Sequence, residues 1–159
     1  MADDSLPLVI FRLEELRLAL PMAVVERVVR AVKITPLPGA PWIVSGAVDV
    51  GGSVLPVFNL RQRLCGRSRD TLLSDQFIIA EANGRRVVLA VDETVGVVNR
   101  RAGDLSEVPE MAGGLESTRG VVRLEDGLAV IHDLDAFLSA DEAEILQQAL
   151  SAEEVRHGA

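Results

Sequence analysis

Cysteine, histidine and aromatic residues are scarce in this sequence. It holds one cysteine (Cys65), two histidines, one tryptophan, four phenylalanines and no tyrosine. A single cysteine excludes an internal disulfide and fits a reducing compartment. One Cys and two distant His cannot supply the ligand spacings of a zinc site, and no cofactor is expected. With so few aromatics, the core has to be aliphatic. No stretch of eighteen uninterrupted apolar residues occurs, and the opening "MADDSLPLVIFRLEELRL" has no basic n-region. The chain therefore reads as a soluble protein without a secretory signal or membrane insertion. Basic charge is also in deficit: 16 Lys and Arg stand against 24 Asp and Glu, a formal net charge of -8. Nucleic acid and anionic membrane surfaces need clustered Lys and Arg, so neither is expected as a partner. No phosphate-cradling glycine motif appears.

What is present is a repeat. "SGAVDVGGSVLPVFNLRQRL" from Ser45 and "RGVVRLEDGLAVIHDLDAFL" from Arg119 share a rhythm at an offset of 74 residues. Gly46 falls on Gly120, Val48 on Val122, Val57 on Ile131, Asn59 on Asp133 and Leu64 on Leu138. Upstream, an offset of 69 sets Val9 on Ile78, Leu18 on Val87, Leu20 on Leu89, Val28 on Val97 and Val29 on Val98. The five-residue difference falls in "NRRAGDLSEVPEMAGGLES", a polar loop whose Gly113-Gly114 pair marks it as mobile.

Each half carries the same grammar. "LVIFRL" and "LRLALP" flank Glu14-Glu15, a hairpin with poor turn chemistry because neither residue is Gly or Asn. "QFIIAEA" and "RRVVLAV" flank Asn83-Gly84, a strong hairpin signal. "MAVVERVVRAV" reads as a short helical turn running into a strand. "ITPLPGAPW" is an irregular connection. "IVSGAVDV" and "SVLPVF" are strands joined at Gly51-Gly52, with Pro56 suggesting an edge or a bulge. "NLRQRLCGRS" is a helical turn stopped by Gly66. Short strands with alternating burial close most readily into small barrels.

The expected fold is therefore mainly β, with two pseudo-symmetric five-stranded barrels packed together, short helical turns and a C-terminal helix. One domain over 8–139 would hold two interlocked subdomains, approximately 8–70 and 71–138, open to strand exchange. Halves of this size have marginal cores alone. The helix, 139–155, begins at a Ser139/Glu142 capping box and carries an apolar stripe of Ile145, Leu146, Ala149 and Leu150. Ser151 and Glu154 repeat the cap spacing and allow a break. Residues 1–7 and 156–159 read as flexible ends.

Three features bear on chemistry. His132-Asp133 could orient a general base, but no nucleophile motif accompanies it, and a hydrogen-bonded structural histidine is the simpler reading. Cys65 lies among Arg61, Arg63 and Arg67, which can lower a thiol pKa, yet a small apolar residue beside a glycine stop explains it. Glu14-Glu15 and Glu153-Glu154 read as solvated surface. No catalytic residue is assigned.

The order of motifs resembles the CheW family of bacterial chemosensory coupling proteins, over about Leu8 to Leu150. Its marks are "ITPLPGAPWIVSGAV", "VLPVFNLRQRL" where the family has D-L-R, "VDETVGVV", and "GVVRLEDGLAVIHDLDAFL". The resemblance implies two SH3-like barrels and a non-enzymatic adaptor of the cytoplasm, at membrane-associated or cytoplasmic receptor arrays. Its implied partners are the cytoplasmic tip of a methyl-accepting chemoreceptor and the regulatory domain of a CheA-type histidine kinase. A monomer is expected in isolation.

By motif position, Val25 is implied as a receptor-groove residue and Arg61 as a charged interface or orienting residue. The repeat-equivalent segments Val24–Val29 and Val95–Val98 are richer in valine than one buried face needs, so Val25, Val95 and Val98 are candidate groove residues. Two positions depart from the family: Gly51 replaces an arginine, and Arg27 stands where an acid is common. If that acid pairs with the arginine at 61, Glu26 is the nearest substitute. These departures raise an alternative, a competing scaffold of a non-swimming pathway (pili, gliding or development) that binds kinase without activating it.

Overall fold

The computed structural model describes residues 5–101, 103, 105–106 and 118–157. Most of the expected polar loop, 107–117 with its glycine pair, lies outside the described residues. Eleven strands are described: β1 (Ser5–Leu13), β2 (Leu16–Pro21), β3 (Val25–Arg30), β4 (Val44–Val50), β5 (Ser53–Phe58), β6 (Gln76–Ala82), β7 (Arg85–Val91), β8 (Glu93–Arg101), β9 (Leu105–Ser106), β10 (Thr118–Leu124) and β11 (Gly127–His132). A 3-10 turn at Met22–Val24 feeds β3, a π-helical turn spans Arg61–Cys65, and a second 3-10 turn spans Leu134–Ala136. The chain ends in helix α1 (Ala140–His157).

The strands form two sheets, ordered β3-β6-β7-β5-β4 and β8-β1-β2-β11-β10-β9. The expected mainly-β, doubled architecture is present, with the two-residue β9 as a sixth strand on one sheet. Under the repeat, β1, β2 and β3 become β6, β7 and β8, while β4 and β5 become β10 and β11. The two orders are then the same order. Each sheet takes its first hairpin from one half of the chain and its other long strands from the other half.

Register repeats too. Leu8↔Val98 and Ile10↔Gly96 match Phe77↔Val29 and Ile79↔Arg27, and both pairs then slip by one residue. The bulged residues, Val95 and Glu26, are repeat equivalents. A second bulge recurs between Val44 and Gly46 and between Thr118 and Gly120.

Burial explains why the strands read as continuous apolar runs. Leu8, Ile10, Ala19, Val122, Ala129 and Ile131 fill one barrel, and Val48, Leu55, Val57, Phe77, Ile79 and Val88 fill the other with Ala31. Phe11, Leu13, Leu18 and Leu20 point the other way, into a larger seam core with Ile78, Leu89, Phe58, Leu60 and Phe137. Both faces of the first hairpin are thus covered, so its strands lose simple alternation. The largest core belongs to both halves jointly.

Local signals explain the connections. Asn83 and Gly84 adopt φ of 51° and 77° in their hairpin turn. Glu14 also adopts a positive φ, 58°, which an L-residue avoids without support. Gly66, at φ 72°, ends the π-helical turn and donates to the Gln62 carbonyl. Pro56 is not on an edge strand, because β5 runs between β4 and β7. However, β5 meets β7 only at Val57 and Phe58, so at Pro56 only β4 is alongside. The far edges of the five-stranded sheet are linked by Thr35, which follows β3 and exchanges backbone hydrogen bonds of 2.9 and 2.8 Å with Ala47 on β4.

Helix α1 starts with the predicted capping box. Glu142 N–H donates to Ser139 Oγ (3.1 Å), and Ser139 N–H donates to Glu142 Oε1 (2.8 Å). The break that Ser151 and Glu154 allow is not used, and one expectation needs correction. The helix runs through Ser151 without a break. Ile145 is exposed while Leu146, Ala149 and Leu150 enter the seam core, so the buried stripe is narrower than predicted.

Candidate interaction site

Two edge strands carry four of the five residues singled out from sequence. Val25 opens β3, half-buried against the seam core. Glu26 is the bulged residue beside it, exposed, with Oε2 2.9 Å from Arg86 Nη2. Val95 holds the equivalent bulge on β8 and is 58% exposed. Val98 packs on the core of its own barrel. A bulge breaks the ladder and re-aims its side chain, and both bulged residues are exposed. The same backbone device thus presents a carboxylate on one barrel and an isopropyl group on the other.

Val95 and Val98 share an open cleft of about 450 Å³, with Val97, Ile10 and Leu124 beside them. Arg17 stands at this cleft, paired with Asp126 at 2.5 Å. Val97 and Leu128 add exposed apolar surface on the same sheet. Val25 and Glu26 stand on the edge of the other sheet and do not line this cleft.

Arg61 belongs to neither edge. It is 7% exposed, within the π-helical turn. Its Nη2 donates to Asp92 Oδ1 at 2.5 Å, and its Nη1 sits 3.2 Å from Glu14 Oε1 without hydrogen-bond alignment. Glu26 is engaged by Arg86 instead, so it does not serve as the partner of Arg61.

The surroundings form an ion cluster that the sequence does not reveal. Asp92 also accepts from Arg69 (2.9 Å), Arg12 (3.1 Å) and the Glu14 N–H (2.8 Å). Arg69 reaches back to both Asp75 oxygens at 2.8 and 2.9 Å. Arg67 grips both oxygens of Glu14, and its hydrogen bond is the main reason the Glu14 carboxyl is held down to about 2. Burial pushes Asp92 upward, but hydrogen bonds from Arg61 and the Glu14 amide prevail and leave its pKa lowered. The sequence pattern predicts solvated surface at Glu14. It is half-buried, and these long-range partners hold its turn in the left-handed region.

The other candidates carry no evident chemistry. Burial, then the Glu14 carboxylate, raises the Cys65 thiol pKa, which disfavours a reactive thiolate. His132 is 1% exposed and burial pushes its pKa down to about 4. Its Nε2 has no hydrogen-bond partner among the described residues. No group of His, Cys, Asp and Glu among the described residues could hold a metal ion. No helix among them is long and apolar enough to cross a membrane.

Comparison with known proteins agrees with the fold. The chain is 26% identical over 146 residues to the chemotaxis protein CheW of Rhizobium meliloti (strain 1021), covering 91% of this chain and 94% of that protein. It is 28% identical over 130 residues to the chemotaxis protein CheW of Thermotoga maritima, covering 80% and 84%. The crystal structure of scaffolding protein TtCheW from Thermoanaerobacter tengcongensis superposes with a TM-score of 0.78 at 24% identity, over 86% of this chain and 94% of that one. The profile of the CheW-like domain matches residues 7–142, and the chain belongs to the CheW-like domain family.

Proposed function

We propose that this protein is a non-catalytic adaptor that couples a chemoreceptor to a CheA-type histidine kinase. The observation that carries this reading is the pair of repeat-equivalent edge strands with outward bulges, one ionic at Glu26 and one apolar at Val95. Two related surfaces on one molecule suit a bridge between two partners. The cleft at Val95 and Val98 offers an apolar floor for a partner helix, the mode in which such grooves bind. Val25 and Glu26 offer a second edge on the other barrel. Arg61, buried and fixed by Glu14 and Asp92, acts in this reading by orienting the barrels. The protein works in the cytoplasm, as a monomer before it joins its partners.

The test is a reconstituted kinase assay with purified kinase, receptor fragment and this protein. Receptor-dependent stimulation of autophosphorylation, lost in Val95→Glu, supports coupling. Absence of stimulation and of kinase binding at tens of micromolar overturns it.

A further inference from the structure

The chain crosses between the two barrels by two repeat-equivalent routes, and they are built differently. One is Asp92, the single residue between β7 in one sheet and β8 in the other. The other is the Met22–Val24 turn between β2 and β3, where Ala23 takes the place of Asp92. Asp92 gathers Arg12, Arg61, Arg69 and the Glu14 amide, and its own N–H donates to the Arg12 carbonyl at 3.0 Å. Ala23 has no side-chain polar group to do any of this.

The hairpin tips repeat the contrast. Glu14 and Asn83 are equivalent, and both have positive φ. Each tip is tied to the helical turn that follows the last strand of its own half, which sits in the other barrel. Glu14 meets Arg67 through exposed hydrogen bonds, and it meets the buried Arg61 guanidinium and, through its N–H, the Asp92 carboxylate in part-buried contacts. Asn83 meets Asp135, the equivalent of Arg61, through its N–H to Oδ1 (2.8 Å) and its Nδ2 to the backbone carbonyl (2.9 Å), both exposed. Multiply partnered, charge-assisted bonds hold better than two exposed single ones, and opening begins where protection is least.

We propose that the seam is a one-sided hinge: the barrels pivot about the Asp92 crossover and loosen at the Asn83–Asp135 side, with the Met22–Val24 turn still joining them. The ionic cluster is the fixed end. The motion changes the angle between the edge strands β3 and β8 while each barrel core stays intact. This inference rests on the two latches and stands independently of the identity of any partner.

Residue-resolved amide exchange on the full chain tests it. The Asn83 amide is expected to exchange at least tenfold faster than the Glu14 amide. Asp135→Ala, at an exposed position, is expected to speed Asn83 several-fold more and leave Glu14 unchanged. Asn83→Gly keeps the positive φ while removing the Nδ2 bond, and is expected to loosen the same side only. Nitroxides at the exposed, equivalent Val54 and Leu128, one per barrel, are expected to show a broader distance distribution with Asp135→Ala. Equal exchange at the two tips, acceleration of both by Asp135→Ala, or an unchanged distance distribution overturns the hinge.

Discussion

His132 stands where the repeat places Phe58, and the two rings meet Phe137 from different directions. Phe58 stacks on Phe137 with centroids 4.4 Å apart, while His132 meets it edge-on at 6.1 Å. One half of the chain thus places an aromatic hydrocarbon in the seam where the other half places a titratable ring. Burial costs the imidazolium most, and the nearby Asp133 carboxylate offsets only part of that cost.

The pH consequence has a definite sign. The folded pKa of His132, about 4, lies below its ordinary value of 6.5, so the unfolded chain binds this proton more readily. The stability contribution is complete above pH 6.5 and is lost as pH falls towards 4, by ~3 kcal/mol if unopposed. His132→Phe, copying Phe58, removes both the titration and the unpartnered Nε2. Urea melts from pH 7 to pH 4 are expected to show a shallower loss in the variant. They should also show stability at pH 7 equal to or about 1 kcal/mol above the parent.

Gly46 makes a different prediction, about backbone proximity. A Cβ there would lie 2.3 Å from the Thr35 carbonyl oxygen, and the φ of 151° is itself unfavourable for an L-residue. Thr35 is held in place by its bonds to Ala47, so the carbonyl cannot retreat without opening the link between β3 and β4. Gly46→Ala is expected to cost about 2–4 kcal/mol, the range of severe strain at a special backbone position. Gly52→Ala is the control. Its φ of 90° is strained but nothing lies within 4 Å of its Cβ, so a smaller loss in thermal unfolding is expected.

The repeat was readable because it is written in side chains that must be buried. Matching apolar positions fill matching cores, and even the bulges recur at the same residues. The exchange of hairpins between barrels is not legible in the sequence, since both arrangements bury the same residues. The ion cluster was unreadable for another reason. Glu14 and Asp92 are 78 positions apart, and neither has a local pattern announcing a partner. The Glu14 turn looked poor because its left-handed residue depends on Asp92, Arg12 and Arg67. Ile145 misled because a stripe of four apolar residues is wider than the face that the seam covers.

Helix α1 is anchored at its start by more than its cap. Glu142 closes the capping box on Ser139 and also receives Arg63, 2.8 Å from both carboxylate oxygens. Arg63 in turn lies 5.4 Å from the centre of the Phe137 ring and 5.8 Å from that of Trp42. Ser139→Ala removes one capping bond and is expected to cost about 1 kcal/mol. Glu142→Ala removes both contacts and strands Arg63 over the rings, so it is expected to cost more. Trp42 is exposed and stands in the Arg63 environment, so its fluorescence should shift with Glu142→Ala and stay unchanged with Ser139→Ala.

Val95 separates binding from folding more cleanly than Arg61 does. Its side chain is mostly in solvent, so Val95→Glu is expected to move stability by less than about 0.5 kcal/mol. A charge on the apolar floor of the cleft should nevertheless weaken a docked apolar helix by at least tenfold. Arg61→Ala does the reverse, because it leaves Asp92 and Glu14 short of a buried cation, and about 3 kcal/mol of destabilisation is expected. Calorimetry against the kinase regulatory domain and a receptor-tip fragment, beside thermal melts, resolves the two effects. If Val95→Glu binds both partners as the parent does, the β8 edge is not a working surface. If only the receptor fragment is lost, the cleft is assigned to the receptor, and the β3 edge at Val25 and Glu26 is left for the kinase.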